Sequence, residues 1–414
     1  MKSSLEQQHL ANSMLEFETA RRRLVSTASC INTTEEISID ESAGRVLAQS
    51  VVAKHDLPSM DNSAMDGYAL RYADLISSKT FPVQERCFAG MMPTTLQPGK
   101  ATRLFTGSLI PQGADAVVMQ ENASEQNDVV KILKEPRLGQ NIRRRGEDVR
   151  MGQTILSRGT LLNAAQVGMI AMQGMQHVSV FRRLRVGILT SGDELVPAGH
   201  PKTFQQIYDS NGPMLSALAY GIGASVIART HAKDTVPETG RALAHLISIA
   251  DIVITAGGVS SGEKDCLRPA LESLGGELEV FKVRMKPGKP FSVGYLSGKP
   301  VICLPGNPGA AYSVFALMVS PVIRRMQGRT TVFPSTPSVS LQGGWRSRDD
   351  KDDFLRVSLQ SDQDGHQSLV PFEQQSPGAM SSLSQSSGLA RIRPRSVLAD
   401  GDLVDFYDFG TWLV

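Results

Sequence analysis

Cysteine is scarce in this sequence, and the residues that occur stand singly. Cys30, Cys87, Cys266 and Cys303 form no CxxC pair and no spacing that binds zinc. We expect reduced, mostly buried thiols, as in a protein of the cytoplasm. The histidines form no HxH, HxxE or HExxH set, which argues against a transition-metal site.

Long apolar runs and a strong charge excess are also absent. No stretch approaches the roughly 20 apolar residues of a membrane span, and the opening MKSSLEQQHLANS lacks the apolar region of a secretory signal. The formal net charge is only +2 over 414 residues, so any basic site is local. Because single cores stop growing at roughly 250–300 residues, we expect more than one domain.

Strand and helix signals divide the chain into four regions. Short strands and regular turns predict a small β domain at residues 53–150, inserted into an elongated N-terminal domain of residues 1–52 and 151–181. Alternating strands and helices over 182–330 predict a central, mostly parallel three-layer α/β/α sheet domain. Serine-rich turns and short strands over 331–414 predict a C-terminal β domain. The fold class is therefore multidomain, α/β and β.

Within residues 182–330, apolar runs and helical periodicity predict eight elements, with Asn211 as the cap of the first helix. The predicted strands are Leu184–Thr190, Ala224–Ala228, Asp251–Thr255 and Val301–Leu304. The predicted helices are Gly212–Tyr220, Val236–Ala250, Asp265–Leu274 and Gly309–Gln327.

The strand at Asp251–Thr255 leads directly into a glycine turn. Gly257 and Gly258 are followed by Ser260, and a helix is expected from Asp265. Glycines at such a junction let the backbone approach a ligand and direct amide N–H groups at an anion. The turn is neither a Walker A loop nor a GxGxxG motif. It is therefore either another kind of phosphate or oxyanion turn, or a structural turn whose acids cap the helix.

Two other strands of the same region end in polar turns. In the turn 190–194, adjacent carboxylates either cap the next helix or hold Mg²⁺, which prefers a few carboxylates, water and ligand phosphates. The turn 305–307 is rigid and either offers amides at a helix N-terminus or serves the fold alone. Candidate residues in these turns are Thr190, Ser191, Gly192, Glu194, Pro305, Gly306 and Asn307.

Charged residues outside these turns complete the candidate set. Lys282 and Lys286 are four residues apart, but Pro287 prevents a continuing helix, so we expect them to project from an irregular segment where they can neutralise phosphate. In the β domain, Asp66 lies in the turn-rich stretch DNSAMDGYA. The run NIRRRGED at 141–148 is either a solvated surface or a set of guanidinium forks suited to an oxyanion.

Seven motifs, in this order and spacing, resemble the molybdopterin molybdenumtransferase family, MoeA, and also the E domain of gephyrin. They are DNSAMDGYA, NIRRRGED, TSGDEL, IYDSN, GGVSSGEKD, KPGKPF and LPGNP. The resemblance covers nearly all of residues 10–330. It implies a transferase that takes adenylylated molybdopterin and molybdate, hydrolyses the phosphoanhydride in a Mg²⁺-dependent step, and releases AMP and molybdenum cofactor.

The resemblance also implies roles for individual residues. Glu194 and Asp265 are the expected Mg²⁺ ligands and Ser260 a phosphate ligand, while Asp66 and Asp148 orient water or molybdate. The family's acids fall on Asp66, Asp148, Glu194, Asp234 and Asp265, its lysines on Lys282 and Lys286, its threonine on Thr106 and its arginine on Arg143. Beyond residue 330, Arg356 and Ser376 align.

The partners implied by the resemblance are a second copy of the chain, a molybdopterin adenylyltransferase and molybdoenzyme chaperones. Neither nucleic acid nor a membrane is expected as a partner. Two other readings stay open: a molybdopterin adenylyltransferase that uses the same sheet domain, and a non-enzymatic scaffold of the gephyrin kind. The extra domains argue against the first reading, and the retained acids and lysines argue against the second.

Overall fold

The computed structural model describes residues 14–258, 266–288 and 291–414. By their internal contacts the residues divide into two units. The first unit comprises Met1–Ala48, Gly159–Asn163 and His177–Val414, and the second comprises Gln49–Arg158 and Ala164–Gln176. The division into four domains stays a prediction.

A sheet of six described strands forms the centre of the first unit. In space the order is β2-β1-β3-β6-β5-β4; the first four strands are parallel, and β5 is antiparallel to both of its neighbours. The predicted mostly parallel sheet is confirmed. The strands are β1 (Arg185–Ser191), β2 (Ser225–Ala232), β3 (Ile252–Ala256), β4 (Glu277–Phe281), β5 (Phe291–Leu296) and β6 (Lys299–Leu304).

Helices cover both faces of this sheet, because alternate strand residues point to opposite sides. Val253 of β3 belongs to one apolar cluster with Leu243 and Leu246, whereas Ile254 belongs to a second cluster with Leu215 and Val314. All five residues of β3 are buried. The helices are α1 (Asn211–Gly221), α2 (Val236–Ile249), α3 (Leu267–Ser273) and α4 (Pro308–Val314).

The helix predicted over Gly309–Gln327 is interrupted. After α4 the chain forms a π-helical turn, Phe315–Val319, and then the α-helix Ser320–Met326. Every residue of the π-helical turn is buried. The sequence carries no amphipathic period that would mark such a change, since the whole turn is apolar.

The C-terminal part of the first unit is a second sheet of six described strands. Phe354 and Tyr407 of this sheet pack with Phe17 in the cluster that covers one face of the central sheet, whereas Leu355 and Phe406 lie in a separate cluster. In spatial order the strands are Met285–Lys286, Asp352–Ser361, Gln367–Pro371, Ser338–Leu341, Leu403–Asp408 and Gly388–Ile392.

Shorter elements complete the first unit. They are the α-helices Phe17–Ser26, Met380–Gln385 and Phe409–Trp412, the 3₁₀ turn Ile39–Glu41, and the strand pairs Thr34–Ser38 with His177–Phe181, Leu195–Val196 with Ile207–Tyr208, and Trp345–Arg346 with Val397–Leu398.

The second unit is built mainly of β-structure, as the sequence predicts for the inserted region. Tyr68, Phe81, Val118 and Val130 lie in its principal core. Its sheet has the spatial order Ala116–Met119, Gly67–Leu70, Ala101–Leu104, Thr80–Cys87, Val129–Ile132 and Ala123–Gln126. Its other elements are the strand pairs Asn62–Ser63 with Ile142–Arg143 and Val51–Val52 with Thr154–Leu156, the 3₁₀ turns Tyr72–Ile76 and Gln120–Asn122, and the α-helix Ala164–Met172.

Among the described residues, the helices are too short or too polar to cross a lipid bilayer.

Candidate active site

Three neighbouring parallel strands of the central sheet end at one edge. Thr190 of β1 is in register with Ala256 of β3, which is in register with Leu304 of β6. The turns that follow these strands therefore emerge side by side, at the carboxyl edge where ligands of such sheets bind. This places eight candidate residues at one edge: Thr190, Ser191, Gly192, Gly257, Gly258, Pro305, Gly306 and Asn307.

Gly257 packs directly on the first of these turns. A Cβ atom at this position would lie 2.6 Å from the carbonyl oxygen of Ser191, and the backbone φ of Gly257 is +93°. Both features require glycine, because a side chain would clash and the conformation is rarely adopted by L-residues. Gly306 also lies close by, since its added Cβ would be 3.7 Å from the Cα of Gly257. The turns are thus packed backbone against backbone.

Asn211 and Asp209 fix this arrangement from the start of α1. The side-chain amide of Asn211 donates a hydrogen bond to the carbonyl of Gly306 (2.7 Å), and the hydroxyl of Thr190 donates one to Asp209 (3.0 Å). Asn211 is buried, and its Oδ1 has no hydrogen-bond partner among the described residues. The predicted cap role is wrong: α1 begins at Asn211, and the Asp209 carboxylate accepts from the amide of Gly212 (2.9 Å).

Carboxylates gather around the turn after β1. A Cβ on Gly192 would lie 2.8 Å from Oε2 of Glu194, so this carboxylate is folded over the glycine. The amide of Asp193 donates to the carboxylate of Asp234 (3.4 Å), and the amide of Asp234 donates to that of Asp193 (3.2 Å). Glu194 and Asp234 are thus both at this turn, together with Asp193, the other of the two adjacent carboxylates that the sequence places there.

Two candidates of the glycine turn, Ser260 and Asp265, lie outside the described residues. Their positions relative to Glu194 therefore stay predictions.

Lys286 lies in a short strand rather than in the irregular segment expected from the sequence. Met285–Lys286 pairs in parallel with Asp352 and Asp353 of the C-terminal sheet, and this backbone pairing imposes the extended conformation. The Lys286 Nζ is 4.0 Å from the Asp353 carboxylate. Burial raises the pKa of Asp353 above its ordinary value, and Lys286 opposes that shift. Lys282 is half-buried just before this strand.

Arg356 serves the fold in this structure. Its guanidinium is buried and donates to the carbonyl oxygens of Ala379 (2.7 Å), Gln374 (3.0 Å) and Ser376 (2.9 Å). These bonds hold the turn that contains Ser376.

In the second unit, Asp66 and Thr106 form a tight pair. The Asp66 carboxylate accepts hydrogen bonds from the backbone amide (2.7 Å) and the hydroxyl (2.8 Å) of Thr106. These bonds hold the pKa of Asp66 below its ordinary value, with a smaller contribution from Arg103. Asp66 is therefore ionised at neutral pH and available to orient a proton or a cation.

The arginine run of the second unit separates into paired and unpaired side chains. Arg144 binds Asp61 (2.6 Å) and Arg145 binds Asp56 (2.6 Å). The guanidinium of Arg143 is exposed and has no carboxylate partner among the described residues, and the same part of the structure shows no cation paired with the exposed Asp148. Arg143 and Asp148 are the members of the run that are available to a ligand.

Family models match most of the chain. The MoeA N-terminal region (domain I and II) matches residues 15–174, a probable molybdopterin binding domain matches 187–325, and the MoeA C-terminal region (domain IV) matches 338–409. A relative from Haemophilus influenzae named molybdopterin molybdenumtransferase is 39% identical over 318 residues, which cover 76% of this chain and 78% of the relative. The chain belongs to the MoeA family.

Further similarities agree with this assignment. A molybdopterin molybdenumtransferase from Nostoc is 40% identical over 304 residues, covering 71% of this chain and 70% of the relative. The crystal structure of the molybdopterin biosynthesis moeA protein from Pyrococcus horikoshii superposes with a TM-score of 0.81 at 27% identity, covering 95% of this chain and 99% of that one. The predicted family and fold class are confirmed.

Proposed function

We propose that this chain is a molybdopterin molybdenumtransferase, which catalyses the last step of molybdenum cofactor biosynthesis. It inserts molybdate into adenylylated molybdopterin with Mg²⁺-dependent hydrolysis and release of AMP. The observation that carries the proposal is the single sheet edge where the turns after β1, β3 and β6 pack together beside Glu194. The MoeA family assignment supports the same activity.

Substrate charge explains the residues that we assign to binding. Adenylylated molybdopterin and molybdate are anions, so their binding requires cations and oriented amides. Each charge-assisted contact contributes roughly 1.5–3 kcal/mol. We assign the amides around Gly257 and Gly258, together with Ser260, to phosphate. Lys282 and Lys286 stabilise the charge that develops on the leaving phosphate.

The carboxylates at the sheet edge fit Mg²⁺ as the required metal. Glu194, Asp193 and Asp234 offer hard oxygen donors at the turn after β1. Within the described ranges, three potential ligand atoms come within 4.8 Å of one another only at Asp362, Asp364 and His366, so the described carboxylates of the turn do not form a closed cage by themselves. Mg²⁺ needs none, because it is held by one or two carboxylates plus waters and substrate phosphates. We assign Glu194 and Asp265 as its ligands; when bound, it would polarise the phosphoryl oxygens.

We also propose that the chain acts as a homodimer, with Asp66, Thr106, Arg143 and Asp148 acting on substrate bound by the partner. Mixing Asp66→Asn with Asp265→Asn subunits tests this. Each variant alone is expected to be nearly inactive, and exchange of subunits is expected to restore activity, because one intact site forms in each mixed dimer. Failure of the mixed dimers to recover activity contradicts shared sites.

The direct assay supplies adenylylated molybdopterin, molybdate and Mg²⁺, and measures AMP and metal-loaded cofactor. The wild-type chain is expected to release one AMP for each cofactor formed. Asp265→Asn is expected to lower AMP release by about 100-fold or more, as for loss of a positioned catalytic group. The matched control is Asp40→Asn, an exposed acid in the 3₁₀ turn Ile39–Glu41. Consumption of ATP with adenylylation of free molybdopterin would instead identify an adenylyltransferase.

A further inference from the structure

A polar cavity lies where the strand Met285–Lys286 meets the C-terminal sheet. Its volume is about 570 Å³, within the range of roughly 300–1,000 Å³ typical of small-ligand sites. Charged and polar side chains predominate in its lining, which favours an ionic ligand. The lining residues are Lys286, Trp345, Arg346, Ser347, Arg348, Asp349, Asp350, Asp353 and Arg395.

Cations exceed carboxylates around this cavity. Asp353 faces Lys286 (4.0 Å), and Asp349 faces Lys351 (3.7 Å). The guanidinium groups of Arg346, Arg348 and Arg395 have no carboxylate partner in the part of the chain that the structure describes. With Lys351 included, five cations stand against three carboxylates, an excess of two positive charges. Burial also raises the pKa of Asp353, with Lys286 acting in the opposite direction.

Ser347 supplies an independent indication of a ligand. Its side chain is buried, with 6% of its surface exposed, and its hydroxyl has no hydrogen-bond partner within the described residues. Its backbone amide is satisfied by the carbonyl of Ser396 (2.9 Å), so the backbone position is fixed independently of the hydroxyl. A buried hydroxyl without a partner costs about 1–3 kcal/mol. A ligand oxygen in the cavity would satisfy it.

We propose that this cavity binds a phosphate group in its dianionic form, held by Arg346, Arg348 and Arg395 with a hydrogen bond from Ser347. Two positive charges in excess match a dianion, and guanidinium forks match phosphate geometry. The inference goes beyond the proposed function, because none of these four residues has a role in it. Lys286, which also lines the cavity, is shared with the proposed function, and the test measures binding without turnover, so the phosphate site can fail while the proposed function holds.

The chain offers a local reporter for the test. Of its two tryptophans, Trp345 lines the cavity and Trp412 is buried with 1% exposure. Labelling of the full-length chain with 5-fluorotryptophan therefore gives one ¹⁹F signal at the cavity and one in the core. Inorganic phosphate and AMP are titrated separately, with chloride at equal ionic strength as the control for screening.

We expect both phosphate and AMP to shift the Trp345 signal and to leave the Trp412 signal in place. Tighter binding of AMP would identify a mononucleotide as the ligand, and equal binding would identify the phosphate group alone. The double variant Arg346→Gln/Arg348→Gln is expected to weaken binding at least tenfold, roughly the loss of one charge-assisted contact. Arg393→Gln is the matched control, because Arg393 is exposed directly after the strand Gly388–Ile392 and is paired with Asp405.

Ser347→Ala separates ligand binding from a structural role. We expect weaker phosphate binding with an unchanged or higher melting temperature, because the hydroxyl has no partner to lose. A Trp345 signal that does not respond to phosphate or AMP, or that responds equally to chloride, overturns the proposal. The proposal is also overturned if the double variant Arg346→Gln/Arg348→Gln has the melting temperature of the wild type and binds phosphate as tightly as Arg393→Gln does.

Discussion

The Asp66 carboxylate accepts two hydrogen bonds from a single residue, Thr106, through its backbone amide (2.7 Å) and its hydroxyl (2.8 Å). Both stabilise the ionised carboxylate, so they lower the pKa of Asp66. The backbone amide and the hydroxyl of Thr106 therefore both lower the pKa of an acid that is 40 residues earlier in the chain.

Thr106→Val is expected to raise the pKa of Asp66 while leaving it below the ordinary aspartate value. The backbone hydrogen bond persists and only the hydroxyl bond is lost, so part of the shift remains. The pKa is measured by ¹³C NMR titration of the Asp66 carboxyl. Thr106→Ser, which keeps the hydroxyl, is the control. If the valine and serine variants titrate alike, the hydroxyl does not contribute to the shift.

Gly257→Ala is expected to reduce the free energy of unfolding by about 2–4 kcal/mol, from backbone strain and overpacking combined. The added Cβ would lie 2.6 Å from the Ser191 carbonyl oxygen at a backbone φ of +93°. The control is Gly240→Ala in α2, where an added Cβ meets no atom within 4 Å. That change is expected to stabilise the chain by about 0.5–1 kcal/mol. Denaturant melts of both variants check the contrast, and equal melts would contradict it.

Glu194→Gln is expected to raise the Mg²⁺ concentration for half-maximal AMP release at least about tenfold, because an amide oxygen is a weaker ligand of Mg²⁺ than a carboxylate. AMP release is measured across a Mg²⁺ titration. Glu238→Gln on α2 is the control, since that exposed carboxylate pairs with Arg241. A Glu194→Gln chain with an unchanged Mg²⁺ dependence removes Glu194 from the set of metal ligands.

Asp251 forms a partly buried ion-pair cluster before β3. Burial alone would raise its pKa, but hydrogen bonds from Arg182 and from the amide and side chain of Arg185 lower it below the ordinary value. Asp251→Ala is expected to reduce the free energy of unfolding by about 2–3 kcal/mol at pH 7. This loss is smaller than for a fully buried ion pair because the Arg185 side chain is 43% exposed. The control is Asp405→Ala, which breaks an exposed pair with Arg393 and is expected to cost less than about 1 kcal/mol.

The pH dependence of this Asp251 contribution has a defined sign. Because the folded pKa is the lower one, the stabilisation is complete above the unfolded pKa of about 3.9 and is lost as the pH falls through the folded value. The difference between wild type and Asp251→Ala in unfolding melts is therefore expected to shrink below about pH 4. A difference that stays constant from pH 7 to pH 3 would assign the cost to packing.

Local sequence patterns predicted the central sheet well. The strand predicted at Asp251–Thr255 is Ile252–Ala256, and the helix predicted at Val236–Ala250 is Val236–Ile249. A strand that is buried on both faces is an unbroken apolar run rich in β-branched residues. A helix that is buried along one side shows apolar residues at the helical period. These signals are contained in neighbouring residues, so a single sequence suffices to read them.

Contacts between distant residues were the part that the sequence did not reveal. Asn211 was expected to cap its own helix, but its amide reaches Gly306, 95 residues away. The strand Met285–Lys286 depends on pairing with residues 352–353, and two residues are too few to carry a strand period. The motif IYDSN marks Asp209 and Asn211 as candidate residues. It does not reveal their partners Thr190 and Gly306, because these are brought close by the parallel register of the strands.

The pairing of Met285–Lys286 with the C-terminal sheet has a consequence for inheritance. The chain leaves the central sheet after β4, contributes two residues to another sheet, and returns as β5. If recombination replaced the segment after residue 330 with that of a relative, Met285–Lys286 would pair with a strand of different sequence. The surroundings of Lys286 would then change as well. We therefore expect substitutions in the strand Met285–Lys286 and in the C-terminal sheet to be inherited together, so that the two regions are not interchangeable between relatives.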